Sequence, residues 1–366
     1  MKTDMISKVV SSIGSVDVEF FESAQRRLDS LTKPQGSLGR LEELARTIVA
    51  IKADEKPRLA NKVIFTLAGD HGVAEEGVSA YPKEVTAQMV INFLHGGAGI
   101  NVLARHIGAR VVVVDMGVAE RIKNLKVKSE NFRDKKINFG TRNMLKGPAM
   151  TRREAEESIE RGMEIFFEEE KCGIDIIGTG DMGIGNTTAS SAIASILTGS
   201  TVEEVTGRGT GLNEMGLEHK INVIKEAVSV NRPDPRDPID VLSKVGGFEI
   251  GGLAGIILAS SSKKVPVVID GFISGAAALI AFHIEPKVRD YMIASHCSVE
   301  RGHRIILRHM GLNPLVDFNL RLGEGTGSAI GINMADMAVK ILTEMASFSE
   351  ANVSERIKDE RVPVGS

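Results

Sequence analysis

Short runs of aliphatic and β-branched residues recur along this chain, and each run leads into glycine or a small polar residue. The runs are KVIFTLAG (62–69), RVVVVDMG (110–117), IDIIGTG (174–180), PVVIDGFIS (266–274) and YMIASHCS (291–298). They are continuously apolar rather than alternating, which is typical of strands buried on both faces of a sheet. Segments with helical spacing separate them, so the sequence predicts an α/β fold whose parallel sheet is flanked by helices.

The two ends of the chain follow a different pattern, without strand signals. Three segments have the apolar spacing of amphipathic helices: 18–30, 38–53 and 333–347. The sequence therefore predicts a small helical domain formed from residues 1–35 and 335–366. The α/β domain is predicted to cover residues 36–334.

The charge balance excludes some classes of partner. A net charge of -3 offers no long-range attraction for nucleic acid or an anionic membrane, so any phosphate must be held by local groups. The 2 cysteines are too few for a disulfide framework. No apolar stretch reaches the roughly 18 residues of a membrane span, and the first residues do not resemble a signal peptide. We expect a cytoplasmic protein.

A glycine-rich segment, GTGDMGIGNTTAS (178–190), follows one predicted strand and begins a helical pattern. Backbone N–H groups before a helix bind anions, so Gly183, Ile184 and Gly185 are candidates to hold a phosphate. The alternative is a plain strand-to-helix turn capped by Asn186 or Thr187. The spacing also fits a dinucleotide fingerprint, but the acidic residue expected about 20 residues later is missing.

Two further glycine-rich segments carry candidate chemistry. GRGTG (207–211) is a backbone nest, and Lys220 follows it on a helical pattern, which suits a phosphate. LGEGTGS (322–328) presents Glu324 between two glycines, where partial burial would raise its pKa toward that of a general base. The alternative for Glu324 is a cap of the following helix.

His296, Glu300 and His303 occur at positions i, i+4 and i+7, which would place them on one face of a helix. This spacing approaches that of metal ligands but lacks the H-E-x-x-H form. A solvated or salt-bridged helix face explains the pattern better, and we expect no metal there.

Eight segments together resemble the nicotinate-nucleotide–dimethylbenzimidazole phosphoribosyltransferase family, in the family's order. They are LTKPQGSLGRLEELA (31–45), AGDHGVAEEGVSAYPKEVTAQMV (68–90), NFLHGGAGIN (92–101), GTGDMGIGNTTAS (178–190), GRGTGL (207–212), VIDGFISGAA (268–277), ASHCSVERGH (294–303) and LRLGEGTGSA (320–329). The set is highly specific, whereas each glycine-rich loop alone is not.

The resemblance implies a function and a set of site residues. It implies a Rossmann-like sheet, a homodimer, and transfer of phosphoribose from nicotinate mononucleotide to 5,6-dimethylbenzimidazole. Glu324 corresponds to the general base, and Asp181 to a second carboxylate that is commonly Glu in the family. The implied phosphate and ribose contacts are Gly183, Gly209, Gly211, Lys220 and Ser298, and the implied base pocket is Gln88, Met182 and Leu322.

No metal or organic cofactor is expected, because nicotinate leaves as a neutral ring from a pyridinium. Two other functional classes stay open from the residues alone. One is a nicotinamide-dinucleotide-dependent oxidoreductase, argued from the loop after Gly178. The other is a non-catalytic nucleotide-binding protein, against which the retained Glu324 argues.

Overall fold

The computed structural model describes residues 5–122 and 130–354. Six strands form one sheet: β1 Lys62–Gly69, β2 Arg110–Gly117, β3 Phe132–Asp134, β4 Ile176–Met182, β5 Val267–Ile269 and β6 Met292–Ala294. The helices are α1 Met5–Ser11, α2 Val18–Ser30, α3 Arg40–Lys52, α4 Val85–His95, α5 Gly99–Ile107, α6 Arg152–Glu170, α7 Asn186–Thr198, α8 Val202–Val205, α9 Glu214–Asn231, α10 Pro238–Val245, α11 Phe248–Ser262, α12 Phe272–Ile284, α13 Arg301–His309 and α14 Thr326–Glu344.

The sheet has the order β3-β2-β1-β4-β5-β6, and every pair of neighbours is parallel. The predicted parallel sheet is thus confirmed, with strands at all five predicted runs. The pattern did not predict β3, a three-residue edge strand that pairs with β2 from Val113 onward. The chain turns from one half of the sheet to the other between β1 and β4, which is where ligands bind in such folds.

Close helix packing covers one region of the sheet. Every residue of α11 from Phe248 to Ser261 is buried, and α11 packs against α6 through glycines. A Cβ placed on Gly162 would lie 1.9 Å from the carbonyl oxygen of Gly252. The two backbones approach this closely only because Gly162 lacks a side chain, while a Cβ on Gly252 would instead meet Leu67 and Met116.

Contacts between Cα atoms divide the chain into two compact units. The larger contains the chain up to Val16 and Leu59–Asn333, and the smaller contains Asp17–Arg58 and the chain from Met334 onward. These bounds differ from the predicted ones, because α1 packs against α6 and α11 whereas α3 packs against α2. Residues 1–4 and 355–366 of the predicted helical domain lie outside the described residues.

Among the helices in the described ranges, none combines the length and the apolar character that crossing a bilayer requires.

Candidate active site at the carboxyl ends of the strands

A cavity of about 130 Å³ lies beyond the carboxyl end of β4. The residues that line it come from five segments of the larger unit: Asp181–Ile184 with Asn186 and Thr187, Gly209 with Thr210, Gly271–Ile273, His296 with Ser298 and Glu300, and Arg321–Gly323. Loops that follow β4, β5 and β6 therefore meet at one place, as expected for a parallel sheet.

Seven predicted site residues line this cavity: Asp181, Met182, Gly183, Ile184, Gly209, Ser298 and Leu322. Two other predicted residues, Glu324 and Lys220, do not line the cavity but contact residues that do. Glu324 follows the lining residue Gly323, and its backbone N–H donates to the carbonyl of Asp181 at 3.2 Å. Lys220 contacts the lining residue Thr187.

Three predicted residues are not among the lining residues. Gly185 has a φ of 96° and is the N-cap of α7, so the loop is a tight strand-to-helix turn, but a cap at Asn186 or Thr187 is wrong. Gly211 is exposed, with a φ of 113°. Gln88 is an exposed residue on α4. The structure therefore leaves their contacts with a ligand as predictions.

The Glu324 loop, residues 322–328, is held from several sides. Thr66 Oγ1 donates to the carbonyl of Glu324 at 2.9 Å, and the backbone N–H of Ile100 donates to Glu324 Oε2 at 3.2 Å. The side chain is 6% exposed. Burial raises the pKa of Glu324, although the N–H of Ile100 acts in the opposite direction. One carboxylate oxygen is thereby fixed by the backbone in an environment suited to a general base.

Asp181 is the next-to-last residue of β4 and is 5% exposed. Asn186 Nδ2 donates to its Oδ2 at 3.0 Å, while within the part of the chain that the structure describes its Oδ1 has no hydrogen-bond partner. Burial raises the pKa of Asp181 well above its usual range, and the charges of Asp270 and Glu249 raise it further. A cation in the cavity would favour its ionised form.

Asp270 directly follows β5 and contacts the Glu324 loop, and the sequence interpretation did not assign it a role. Its carboxylate accepts from the backbone N–H groups of Gly325 at 3.1 Å, Gly327 at 2.6 Å and Ser328 at 3.1 Å. Burial raises its pKa to about 7, although these three donors lower it. Asp270 therefore accepts hydrogen bonds from the first backbone N–H groups of α14. The alternative of Glu324 as the cap of that helix is wrong.

Gly178 and Gly180 lie inside β4, where they allow the Glu324 loop to approach. A Cβ on Gly180 would lie 2.3 Å from the carbonyl oxygen of Glu324, and one on Gly178 would lie 2.7 Å from Ser328 Cβ. These glycines serve packing within the sheet. The dinucleotide fingerprint would instead need them in the turn before the helix, so the structure does not favour that interpretation.

Lys220 is fully buried on α9, and its Nζ donates to Thr187 Oγ1 at 2.7 Å. Burial lowers its pKa to about 8, while the charge of Glu300 raises it. A Cβ on Gly209 would lie 3.1 Å from Lys220 Nζ. The ammonium group and the backbone of the 207–211 loop therefore lie side by side, as a phosphate site requires.

His296, Glu300 and His303 do not share a helix face, and that prediction is wrong. The helix α13 begins only at Arg301, because Glu300 is its N-cap. The N–H of Ser298 donates to His303 Nδ1 at 3.0 Å, and burial lowers the pKa of His303 to about 3, so this ring is neutral. No group of three or more potential metal ligands is found among the described residues.

A buried ion pair lies beneath the Gly183–Gly185 loop. His71 Nε2 is 2.7 Å from Glu249 Oε1, and both side chains are almost completely buried. Burial lowers the pKa of His71, but the neighbouring charge of Glu249 and its hydrogen bond outweigh it, so the pKa is raised. A Cβ on Gly185 would lie 3.2 Å from His71 Cβ. The His71 side chain of this pair thus packs against the Gly183–Gly185 loop.

A second, wider groove of about 720 Å³ is lined by four basic side chains. Each of them already has a carboxylate partner: Arg142 with Glu154, Lys146 with Glu75, Arg152 with Asp237 and Lys244 with Asp240. This groove is therefore less suited to a phosphate than the cavity beside Lys220.

Comparison with known proteins identifies close relatives. A family model described as phosphoribosyltransferase matches residues 13–353. Nicotinate-nucleotide–dimethylbenzimidazole phosphoribosyltransferases of Desulforudis audaxviator (strain MP104C) and Geobacter metallireducens (strain ATCC 53774 / DSM 7210 / GS-15) are both 54% identical, covering 97% and 96% of this chain and 100% and 98% of theirs. The crystal structure of CobT from Thermus thermophilus is 43% identical, with a TM-score of 0.88 over 92% of this chain and 100% of that one.

The His71–Glu249 pair predicts a pH-dependent stability. Because the pKa of His71 is raised in the folded protein, its contribution is complete below the usual histidine value of 6.5 and is lost as the pH rises through the folded pKa. We expect Glu249→Gln to lower Tm clearly at pH 6 and much less at pH 9. Thermal unfolding at both pH values measures this, with Glu157→Gln as control, since Glu157 is half-exposed and pairs with Arg161 on its own helix. A difference in Tm that does not change with pH would contradict a charged pair.

Proposed function

Because this chain belongs to the nicotinate-nucleotide–dimethylbenzimidazole phosphoribosyltransferase family, we propose that the cavity beyond β4 is the site of the family's reaction. The enzyme transfers the 5-phosphoribosyl group from nicotinate mononucleotide to 5,6-dimethylbenzimidazole. The products are α-ribazole 5′-phosphate and nicotinate, a step of cobalamin biosynthesis. The observation that carries the proposal for the site is that two buried acidic residues, Asp181 and Glu324, are joined by a backbone hydrogen bond at its edge and that the charge of Glu324 contributes to the raised pKa of Asp181.

In the proposed reaction, the bond between ribose C1′ and the pyridinium nitrogen breaks, and its electrons return to the nicotinate ring. The leaving group therefore needs no proton. A ring nitrogen of dimethylbenzimidazole bonds to C1′ from the opposite face, which gives the α product. The second ring nitrogen then carries a proton that must be removed.

Glu324 is the proposed acceptor of that proton. Its Oε2 is fixed by the N–H of Ile100, so the carboxylate has a defined orientation, and burial raises its pKa. A positioned base of this kind is typically worth about 10²- to 10⁴-fold in rate.

Asp181 is the proposed stabiliser of the positive charge that develops on the ribose. Its carboxylate lines the cavity, and its free Oδ1, within the described part of the chain, faces no competing donor. The family commonly has Glu here, one methylene longer. The hydrogen bond from Asn186 holds the shorter side chain at the strand end, which limits how far it reaches.

The phosphate of the mononucleotide is proposed to bind between Lys220 and the backbone of Gly209, with Gly183, Ile184 and Ser298 completing the polar wall. The lining residues Met182 and Leu322 offer apolar contacts for the flat base. Gly185 and Gly211 shape the loops through their positive φ values. Gln88 stays a proposed base contact that rests on the resemblance.

Two properties of the whole protein are also proposed from the resemblance: a cytoplasmic location and a homodimer. The small helical unit is proposed to be a separate domain of each subunit. Both cysteines are free, which suits a reducing compartment. Light scattering on the purified protein measures the oligomeric state directly.

The direct test of function is an assay of the purified protein with nicotinate mononucleotide and dimethylbenzimidazole. Chromatography should detect α-ribazole 5′-phosphate and nicotinate in equal amounts. Binding of the mononucleotide without either product would instead favour the non-catalytic alternative. Reduction of a nicotinamide dinucleotide by a co-substrate would favour the oxidoreductase, which the family membership does not support.

We expect Glu324→Gln to lower kcat by about 10²- to 10⁴-fold while the mononucleotide still binds. In the unchanged enzyme kcat should rise with pH through the raised pKa of Glu324, because the protonated carboxyl cannot accept the proton. Steady-state rates between pH 4.5 and 8.5 measure this, and titration calorimetry measures binding. Near-normal kcat in the variant would remove Glu324 from the mechanism.

Lys220→Ala should raise KM for the mononucleotide much more than KM for the base. Because the pKa of Lys220 is lowered to about 8, its charge disappears at higher pH, and KM of the unchanged enzyme should rise above that value. The variant should lose this dependence. Lys225→Ala is a matched control on the same helix, since Lys225 is half-exposed and pairs with Glu203. Equal effects on both substrates would mean that Lys220 does not hold the phosphate.

A further inference from the structure

Asp270 binds the Glu324 loop from its far side. Its Oδ2 accepts from the N–H of Gly325, and its Oδ1 accepts from those of Gly327 and Ser328. All three donors come directly after Glu324 in the chain. The side chain is 1% exposed, and Asp270 is not among the residues that line the cavity, although Gly271 is. Its hydrogen bonds toward the site are made to this loop, while its charge also raises the pKa of Asp181 and its Oδ1 lies 3.9 Å from the lining residue His296.

The backbone of Glu324 needs such support. Glu324 has a φ of 64°, in the left-handed region that residues with a side chain rarely adopt. A conformation of this kind persists only when the surrounding structure holds it. Before Glu324 the support is the bond from its N–H to the carbonyl of Asp181, and after it the support is Asp270. Above its pKa of about 7 the carboxylate of Asp270 is ionised, and hydrogen bonds to an ionised carboxylate are stronger than those between neutral groups.

We propose that Asp270 is a positioning residue for the reaction, and that it holds the strained turn in which Glu324 points its carboxylate toward the bound base. The proposal rests on the proposed role of Glu324 as the general base. Asp270 is suited to this task because both oxygens of a carboxylate accept hydrogen bonds, one from Gly325 and the other from Gly327 and Ser328. An asparagine of the same size would present an N–H group to one of the three amide donors, so part of the turn would be released.

The test is a double-mutant cycle on the rate of phosphoribosyl transfer in a single turnover, with both substrates saturating. Asp270→Asn should lower this rate roughly 10- to 100-fold when Glu324 is present, and less than about threefold when Glu324 is already Gln. KM for the mononucleotide should change little, because the phosphate site is not altered. If Asp270→Asn does not fold, Asp270→Glu keeps the charge, displaces it by one methylene, and enters the same cycle.

A general structural role would give a different pattern. Equal rate losses with and without Glu324, or a rise in KM at unchanged rate, would overturn the proposal. If Glu324→Gln alone has no effect, the proposed base is wrong, which is a separate outcome. Asp115→Asn is the matched control: Asp115 is another buried strand-end carboxylate, but it accepts from Val118 and pairs with Lys136. Asp115→Asn should lower Tm and leave the transfer rate within about twofold of normal.

Discussion

The candidate site depends on one close approach, that of the Glu324 loop to the end of β4. The loop reaches the strand because Gly178 and Gly180 have no side chains, and any Cβ there would overlap Ser328 or the carbonyl of Glu324. This contact brings Glu324 beside Asp181, although the two residues are far apart in the chain. The proposed chemistry requires both carboxylates at one reacting centre.

More buried carboxylates than buried basic side chains surround the cavity, and this balance fits a substrate with a cationic ring and one phosphate. The buried carboxylates include those of Asp181, Glu249, Asp270, Glu300 and Glu324, and the buried basic side chains include His71 and Lys220. Burial raises the pKa of Asp181, Asp270 and Glu324 and lowers that of Lys220. The charged forms of Asp181, Glu324 and Lys220 are therefore costly until a ligand of opposite charge arrives, whereas three backbone N–H groups already hold the carboxylate of Asp270. A mononucleotide brings both, with a phosphate for Lys220 and a cationic ring and ribose for the carboxylates.

Local sequence patterns predicted the parts of the fold that depend on local physics. Continuous apolar runs indicated β1, β2 and β4, because strands buried on both faces need such residues. The edge strand β3 is only three residues long and left no pattern. The helix that begins at Arg301 shows why spacing alone placed His296 and His303 on one face incorrectly. Periodicity does not reveal where the first turn starts when the N-cap is a Glu without a side-chain cap bond.

The predicted site residues came largely from the family resemblance, and seven of them do line one cavity. Asp270 was missed as a partner of the Glu324 loop because its three donors lie more than fifty residues away. A single Asp after a strand carries no local sign of such contacts. The glycines of β4 were misleading for the same reason, since their role is set by a loop from a distant part of the chain.

The central claim, that the substrate occupies the cavity beyond β4, is tested most directly by a crystal structure of the Glu324→Gln protein with nicotinate mononucleotide. We expect the phosphate within hydrogen-bonding distance of Lys220 Nζ and the backbone of Gly209, and ribose C1′ facing the carboxylate of Asp181. A phosphate bound instead among Arg142, Lys146 and Arg152, or a ribose turned away from Asp181, would contradict this assignment of the site.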